Sequence, residues 1–313
     1  MTTWKVLISD GLSDKGIAIL SSAAQVDNKP DISADDLLKV AGEYDAMVVR
    51  GRTKVTPAVF EAAKRLRVVG RAGVGVDNID LTAARAHGVT VVNAPKSTSL
   101  AVAELALGMM FSLARMIPKA DATMKLGQWI KKQLEGIELN GKTLGIVGTG
   151  NIGTLLAQRA SALGMRVIGF DTLVPEDEMK KRGIAPVALA DLYAKSDFIS
   201  FHLPLTPESK GMVNGQAFAQ MKRGVRIIDA ARGGIIDETA LLAALDSGQV
   251  AAAALDVYAT EPPGLTALVA HPNVVATPHI GAQTEEAQDR AAEDIASEVL
   301  NVLRGEPLRW KIV

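Results

Sequence analysis

Short apolar runs alternate with helical patterns along almost the whole chain of 313 residues. The runs have the length and the branched aliphatic content of buried β-strands, and helical spacing of apolar residues fills the stretches between them. This alternation favours parallel sheets that are covered by helices on both faces. The predicted strands are 5–9, 46–50, 66–70, 90–93, 144–147, 165–170, 198–202, 225–229, 251–256 and 274–277.

The helical patterns have recognisable starts and stops. Ser13 is placed to cap a first helix, and Pro57 occupies the first position of another, where its missing N–H costs nothing. A long pattern rich in Ala, Leu and Met predicts one helix over 99–117. The last helix is predicted over 284–304, with Gly305 as its stop.

The most informative segment is a glycine-rich turn between a predicted strand and a helix. The strand ends on Gly148-Thr149-Gly150-Asn151-Ile152-Gly153. Here Gly148 permits a tight turn, Gly150 lets the backbone approach a pyrophosphate, and Gly153 lets the helix pack on the strand. The helix start offers N–H groups and a positive dipole end to the anion. The pattern predicts a dinucleotide site.

An acidic residue completes this segment. Asp171 directly follows the next predicted strand, 23 residues after Gly148, near the ~20 residues expected in such sites. Its carboxylate is placed to accept hydrogen bonds from an adenosine ribose and would repel a 2′-phosphate. We therefore expect NAD rather than NADP, although a neighbouring loop could compensate for the charge.

The order of domains follows from the last helix. The nucleotide fold closes near residue 280, so the helix at 284–304 must return to the first domain. We therefore predict an α/β protein with two doubly wound parallel sheets. A Rossmann NAD-binding domain (99–283) is inserted into a flavodoxin-like substrate-binding domain (1–98 plus 284–313). Small-molecule chemistry usually takes place in a cleft between two such domains.

Composition narrows the class of function. The chain has 34 basic and 35 acidic residues, a balance that gives no support for nucleic acid or a membrane surface as a partner. It has no cysteine, which excludes disulfides, thiolate metal sites and a cysteine nucleophile, and we expect no metal site. The N-terminus lacks the features of a signal peptide, and the most apolar segment, 105–114, is too short to span a bilayer. We expect a cytoplasmic protein.

Candidate catalytic groups follow the strands of the nucleotide domain. His202 and His279 each end a predicted strand, where open α/β sheets bind their ligands. Oxidation of a secondary alcohol needs a base for the hydroxyl proton while hydride leaves the carbon, and an imidazole suits this role. Glu261, in the A-T-E-P-P loop, is an acid that would orient such an imidazole, but the sequence leaves their pairing open.

Candidate anion-binding groups occur in both domains. Arg232, in A-A-R-G-G, is placed to bind a substrate carboxylate through its forked guanidinium, and a structural surface arginine is the alternative. In the first domain, the glycine-rich segment 70–77 would form a nest of N–H groups for a carboxylate. Arg50 and Arg52 add positive charge at the end of a nearby predicted strand.

Together these motifs closely resemble the D-isomer-specific 2-hydroxyacid dehydrogenases. The resemblance covers nearly the whole chain, through G-R-A-G-V-G-V-D-N-I-D, N-A-P, A-V-A-E-L, G-T-G-N-I-G, F-H-L-P-L-T, A-A-R-G-G-I-I-D, E-P-P and T-P-H-I-G-A-Q-T. It implies that His279 is the acid/base, that Glu261 orients it, and that Arg232 anchors the substrate carboxylate and C2 oxygen. It also implies a homodimer or homotetramer whose cleft closes on binding.

The resemblance also implies the binding residues. Val74 and Gly75 match backbone that binds the substrate carboxylate. Arg50 and Arg71 match arginines that would hold the phosphate in the phosphoglycerate branch of the family. The residues implied to bind the cofactor are Gly148, Gly150, Asn151, Ile152, Gly153, Asp171, His202, Ala230 and Asp256.

Two departures from that branch are visible. After N-A-P the chain reads Lys96-Ser97-Thr98-Ser99, where the phosphoglycerate branch often has a glycine–asparagine pair. The chain also ends at Val313, shortly after the last predicted helix, so we expect no C-terminal regulatory domain and no serine feedback through one.

Three functions are compatible with these motifs. The first is NAD-dependent oxidation of 3-phospho-D-glycerate to 3-phosphohydroxypyruvate, the entry step of serine synthesis. The second keeps the chemistry but uses an unphosphorylated acid such as glyoxylate, hydroxypyruvate or D-lactate. The third is a binding protein that senses NAD(H), against which stands the complete set of Arg232, Glu261 and His279.

Overall fold

The computed structural model of the protein describes residues 4–313. The described chain forms two compact units. The first contains the residues up to Ser99 together with Ala282–Val313, and the second contains Leu100–Gly281. The assignment of substrate binding to the first unit stays a prediction.

Each unit contains one sheet. The strands are β1 (Trp4–Ile8), β2 (Ala24–Asn28), β3 (Ala46–Val49), β4 (Val68–Arg71), β5 (Thr90–Asn93), β6 (Thr143–Val147), β7 (Arg166–Phe170), β8 (Ala185–Pro186), β9 (Phe198–Phe201), β10 (Val225–Asp229), β11 (Val250–Leu255) and β12 (Val274–Ala276). The first sheet has the order β2-β1-β3-β4-β5, and the second has the order β12-β11-β10-β9-β6-β7-β8. All paired neighbours run parallel. These are the flavodoxin-like and Rossmann orders, so the predicted fold class is confirmed.

Helices connect the strands. They are α1 (Asp14–Ser21), α2 (Ala34–Val40), α3 (Pro57–Ala62), α4 (Leu81–Ala86), α5 (Ser99–Arg115), α6 (Ile117–Lys125), α7 (Asn151–Ala162), α8 (Glu176–Lys181), α9 (Leu189–Lys195), α10 (Gly215–Gln220), α11 (Glu238–Asp246) and α12 (Glu285–Arg304). Thr284 caps α12 by accepting a hydrogen bond from the Ala287 N–H, and Gly305 ends it with φ 73°. Parallel strands need such crossover connections.

The first unit completes its core with its last helix. A Cβ on Gly70 of β4 would lie 2.6 Å from Val299 Cγ2, and a Cβ on Gly16 of α1 would lie 2.7 Å from Ala292 Cβ. Both glycines therefore let α12 approach closely. Ile295 and Val299, which are fully buried, cover one face of the five-stranded sheet. The last helix, α12, thus packs against β4, the strand that leads into the glycine-rich segment 70–77.

Two short strands were not predicted. Among the strands of residues 4–313, β2 pairs only with β1, and β8 pairs only with β7, so both are edge strands. An edge strand packs against fewer neighbours, and its sequence needs less of the apolar signal that identifies a central strand. The sequence A-Q-V-D-N of β2 shows this directly.

The prediction of a single helix over 99–117 was wrong at its end. α5 stops at Arg115, Met116 adopts φ 51°, and α6 begins at Ile117. Pro118 is the physical reason, because proline lacks the N–H and clashes with the carbonyl four residues earlier. In the described part of the chain, no single helix is long and apolar enough to cross a membrane. Helices α5 and α6 are long and apolar enough only when they are taken together, and they are bent by 65° where they meet.

Candidate active site

The glycine turn has the contacts that a dinucleotide cradle needs. Gly148 has φ +93°, and a Cβ there would lie 2.3 Å from the carbonyl oxygen of His202. A Cβ on Gly153 would lie 2.2 Å from the carbonyl oxygen of Gly148. By contrast, a Cβ on Gly150 would meet no atom of the described residues within 4 Å. Packing requires the outer two glycines, whereas Gly150 faces open space at the start of α7, where a pyrophosphate fits.

The carboxylate of Asp171 is anchored to this turn. Its Oδ2 atom accepts hydrogen bonds from the N–H of Thr149 at 2.6 Å and from its hydroxyl at 3.1 Å. Its Oδ1 atom accepts from the N–H of Leu173 at 2.8 Å and of Val174 at 3.1 Å. Burial alone would raise the pKa of Asp171, but these N–H donors lower it overall. Asp171 is therefore ionised at neutral pH and fixed beside the glycine turn.

His202 is a half-buried, neutral ring at the same edge of the sheet. Burial lowers the pKa of His202 to about 4. Its Nε2 atom lies 2.8 Å from the hydroxyl of Ser200, while its buried Nδ1 atom has no hydrogen-bond partner within residues 4–313. A buried polar atom without a partner costs about 1–3 kcal/mol. This atom therefore fits a contact with a bound ligand.

The structure brings two predicted catalytic side chains together. The Nδ1 atom of His279 lies 2.8 Å from Oε2 of Glu261. The other carboxylate oxygen of Glu261 accepts a hydrogen bond from the N–H of Tyr258 at 3.1 Å. The side chains of His279 and Glu261 are 49% and 37% exposed, so the pair is accessible to a ligand.

The backbone at His279 is held by a buried carboxylate. His279 has φ 54°, a left-handed conformation that costs a residue other than glycine energy. Asp256, 1% exposed, accepts hydrogen bonds from the N–H groups of Ile280 and Gly281, both at 2.8 Å. It also accepts from the hydroxyl of Thr277 at 2.6 Å. Asp256 thus fixes the turn on both sides of the histidine, and its predicted contact with the cofactor stays a prediction.

The turn that carries Arg232 packs against the turn that carries Glu261. A Cβ on Gly233 would lie 1.8 Å from the carbonyl oxygen of Tyr258, so only glycine fits there. Glu238, at the start of α11, accepts a hydrogen bond from the N–H of Ala259 at 2.7 Å. The guanidinium of Arg232 donates through Nη1 to the carbonyl of Ala231 at 2.7 Å. The two loops that carry the predicted catalytic residues are therefore in direct contact.

Sequence reasoning missed the residues that hold these turns. Glu238 accepts a hydrogen bond from the backbone N–H of Ala259, and the hydroxyl of Thr277 donates to the carboxylate of Asp256. In both cases the two partners are 21 residues apart in the sequence. The available signal was the position of each residue: Glu238 opens a helix directly after R-G-G-I-I-D, and Thr277 ends a predicted strand just before Pro278 and His279. Ala230, a predicted cofactor residue, is 8% exposed between β10 and Arg232.

In the first unit, the predicted phosphate ligands lie at the ends of neighbouring strands: Arg50 directly follows β3, and Arg71 is the last residue of β4. Val49 of β3 is in register with Arg71 of β4, so Arg50 and Arg71 lie at the same edge of the sheet. Asp10 accepts a hydrogen bond from the N–H of Arg50 at 2.7 Å, and Nη2 of Arg50 donates to Oε1 of Gln283 at 3.3 Å.

Arg52 has a different environment. Its guanidinium donates to the carbonyls of Ser9, Pro30 and Ile32. These bonds hold the neighbouring loops together, so Arg52 serves the structure of the first unit.

The glycine-rich segment 70–77 forms an open turn after β4. The carbonyl of Val74 accepts a hydrogen bond from the side-chain amide of Asn93 at 2.6 Å. Within residues 4–313, the N–H groups of Val74 and Gly75 donate to no other group. Nη1 of Arg71 donates to the carbonyl of Ala72 at 3.1 Å. This backbone is suited to an anion.

The fold is that of a dinucleotide-binding protein. Its site combines a glycine turn on a Rossmann sheet, an anchored acid after the second strand of that sheet, and a histidine–carboxylate pair. Residues 107–281 match the family model described as "D-isomer specific 2-hydroxyacid dehydrogenase, NAD binding domain". The chain belongs to this family, and its second unit is the NAD-binding domain. The family predicted from the motifs and the cofactor NAD are confirmed.

Curated relatives and solved structures agree with this assignment. The chain is 47% identical over 304 residues to D-3-phosphoglycerate dehydrogenase 2, chloroplastic, of Arabidopsis thaliana, covering 96% of this chain and 49% of the relative. It is 48% identical to D-3-phosphoglycerate dehydrogenase of Pongo abelii, covering 97% of this chain and 57% of the relative. The chain thus spans about half the length of these relatives. A glyoxylate reductase structure from Paecilomyes thermophila is 30% identical, with a TM-score of 0.90 and coverage of 100% and 99%.

Proposed function

We propose that the chain is a cytoplasmic enzyme that interconverts 3-phospho-D-glycerate and 3-phosphohydroxypyruvate with NAD, the entry step of serine synthesis. The observation that carries the chemistry is the contact of 2.8 Å between His279 and Glu261 in the NAD-binding domain. The names of the curated relatives support the substrate.

His279 is the acid/base in this proposal. Glu261 accepts the hydrogen of Nδ1, which selects the tautomer and leaves Nε2 for the substrate hydroxyl. In the direction of oxidation, Nε2 takes the hydroxyl proton as the C2 hydride leaves, and in reduction it returns that proton. Bound NAD supplies the hydride acceptor. Arg232 binds the substrate carboxylate and the C2 oxygen, a contact for which its planar guanidinium is suited.

The substrate's anionic groups account for the remaining predicted residues. We assign the carboxylate to the N–H groups of Val74 and Gly75, which donate to no other group within residues 4–313. We assign the phosphate to Arg50 and Arg71, which lie at the ends of adjacent strands of one sheet. Two arginines beside a phosphate dianion form strong charge-assisted hydrogen bonds.

The test is the rate of NADH oxidation with 3-phosphohydroxypyruvate, hydroxypyruvate and glyoxylate. We expect kcat/KM to favour the phosphorylated acid by about a hundredfold or more. Arg50→Ala and Arg71→Ala should remove that preference and leave the rates on glyoxylate similar. Arg85→Ala, which removes an exposed arginine on α4, is the matched control. Equal rates on all three acids would overturn the phosphorylated substrate.

A second candidate is reduction of glyoxylate or hydroxypyruvate by the same residues. The observation that favours it is the likeness in fold to the solved glyoxylate reductase. It predicts that Arg50→Ala and Arg71→Ala change the KM for these acids little. A large loss confined to the phosphorylated substrate would exclude it.

An exposed apolar surface supports the expected homo-oligomer. Met124, Leu126 and Trp129, at the end of α6 and just beyond it, are 56%, 72% and 78% exposed. Large exposed apolar side chains that lie close together often mark subunit contacts. We propose that this surface forms the contact between identical subunits. Trp129→Glu should then yield monomers in light-scattering measurements, whereas Leu265→Glu, an exposed leucine elsewhere in the second unit, should not. Monomeric wild-type protein would refute this interface.

A further inference from the structure

One buried carboxyl group at the carboxyl edge of the second sheet has no part in the proposed chemistry. Asp229 is the last residue of β10 and is 2% exposed. β10 lies between β9 and β11, where Asp229 is in register with Phe201 on one side and Leu255 on the other. Burial of a carboxyl group is costly unless its oxygens are hydrogen-bonded.

The hydrogen bonds of Asp229 go to the turn that carries Arg232. Its Oδ1 atom accepts from the N–H of Ala231 at 2.9 Å, and its carboxyl group also accepts from the backbone N–H of Arg232. The guanidinium of Arg232 in turn donates to the carbonyl of Ala231. One buried side chain therefore holds two successive N–H groups of the turn from which the guanidinium projects.

Charged and titratable groups surround Asp229 on several elements. Arg232 is the cation of its own turn, and Asp256 is the anion after β11, whose N–H donates to the carbonyl of Asp229 at 2.8 Å. His202 follows β9, and Glu238 at the start of α11 lines a small cavity together with Asp229. Burial, together with the charge of Asp256, raises the pKa of Asp229 to about 7 against the lowering effect of the N–H donors and Arg232.

We propose that Asp229 is a positioning residue for Arg232, which holds the guanidinium where it binds the substrate carboxylate. The inference rests on the proposed role of Arg232. Ionisation of the Asp229 carboxyl group adds a negative charge beside that guanidinium. The anionic substrate is therefore bound more weakly as pH rises through neutrality. Asparagine keeps the accepting oxygen and never carries the charge, whereas alanine removes both.

The test compares Asp229→Asn and Asp229→Ala with the wild type. The rate of amide hydrogen exchange in the peptide that contains Ala231 and Arg232 measures how firmly the turn is hydrogen-bonded. This measurement does not depend on catalytic turnover. We expect faster exchange in Asp229→Ala and near-wild-type protection in Asp229→Asn. Asp197→Asn is the matched control, because Asp197 accepts a backbone N–H at the opposite end of the same sheet, from Thr143 at 2.9 Å.

Kinetics then separate positioning from a purely structural role. For hydroxypyruvate, whose charge is constant over this range, kcat/KM should fall about tenfold or more in Asp229→Ala. Asp229→Asn should restore it to within about threefold at a pH of about 6. The KM for hydroxypyruvate at a pH of about 8, divided by its KM at a pH of about 6, should be several-fold smaller in Asp229→Asn than in the wild type. The KM for NADH should stay the same.

The outcomes are distinguishable. Unchanged exchange in Asp229→Ala, or a wild-type pH ratio in Asp229→Asn, overturns the positioning role. A wild type that turns over none of the acids overturns the proposed function. Faster exchange in Asp229→Ala together with protection in Asp229→Asn would still support the hold on the arginine turn.

Discussion

The ring of His279 and the carboxylate of Glu261 meet at 2.8 Å, although 18 residues separate them in the sequence. Each lies on a turn with its own support. Asp256 fixes the backbone beyond the histidine, and Glu238 fixes the loop before the glutamate. The pair is therefore in place without a bound substrate, with the geometry that the proposed proton transfer at His279 would use.

Removal of either partner should reduce the rate. We expect His279→Asn to lower kcat by about 10²–10⁴. Glu261→Gln keeps the size of the side chain but weakens the hydrogen bond to Nδ1 of His279. Its kcat should therefore fall less than that of His279→Asn, by about tenfold or more. Steady-state NADH oxidation measures both. Glu208→Gln, a change at a fully exposed carboxylate, is the control, and equal rates in wild type and His279→Asn would refute the assigned acid/base.

Gly150→Ala should separate cofactor binding from folding. The added Cβ meets no atom of residues 4–313 within 4 Å, so the free energy of unfolding should stay within about 0.5 kcal/mol of wild type. The methyl group would instead occupy the approach of the pyrophosphate, and the Kd for NADH should rise about tenfold or more. Fluorescence titration with NADH measures this. Gly108→Ala in α5, another position with open space, should leave the Kd unchanged.

Gly233→Ala should disrupt the contact between the turns that carry Arg232 and Glu261. Its Cβ would stand 1.8 Å from the carbonyl oxygen of Tyr258, and backbone cannot yield as a flexible side chain does. We expect the free energy of unfolding to fall by about 1–3 kcal/mol, with a loss of kcat. Urea unfolding and NADH oxidation test this. Gly215→Ala, at the start of α10 with open space around it, should change neither property.

The pH dependence of stability offers a further test of Asp229. A carboxyl group with a pKa of about 7 in the folded state and ~3.9 when unfolded binds more protons in the folded state between these values. The contribution of Asp229 to stability is therefore lost as pH rises from about 4 to 7. The free energy of unfolding of Asp229→Asn, relative to that of the wild type, should increase by about 2–4 kcal/mol between pH of about 5 and 8. Urea unfolding at both pH values measures it, and a constant difference would contradict the raised pKa.

Local patterns predicted most of this fold. The glycine turn and the central strands could be identified because their requirements lie within a few residues: φ +93° at Gly148, close packing at Gly153, and continuous apolar runs in strands such as β6 and β10. The break at Met116 also had a local signal in Pro118, which the strong apolar pattern outweighed in the prediction.

Contacts between distant segments could not be predicted in the same way. The pairing of Glu261 with His279 depends on where two loops end, and the hold of Glu238 on Ala259 depends on how those loops pack. The burial of Asp229 follows from the central place of β10 in its sheet, which only the strand order reveals.

The position of α12 also constrains how the chain matures during synthesis. The five-stranded sheet is synthesised first, but Ile295 and Val299 of α12, which cover one of its faces, leave the ribosome only after the whole second unit. The intervening Rossmann unit is continuous in sequence and can fold as soon as it emerges. The face of the nascent first unit that α12 covers therefore stays without this helix through the synthesis of the whole second unit.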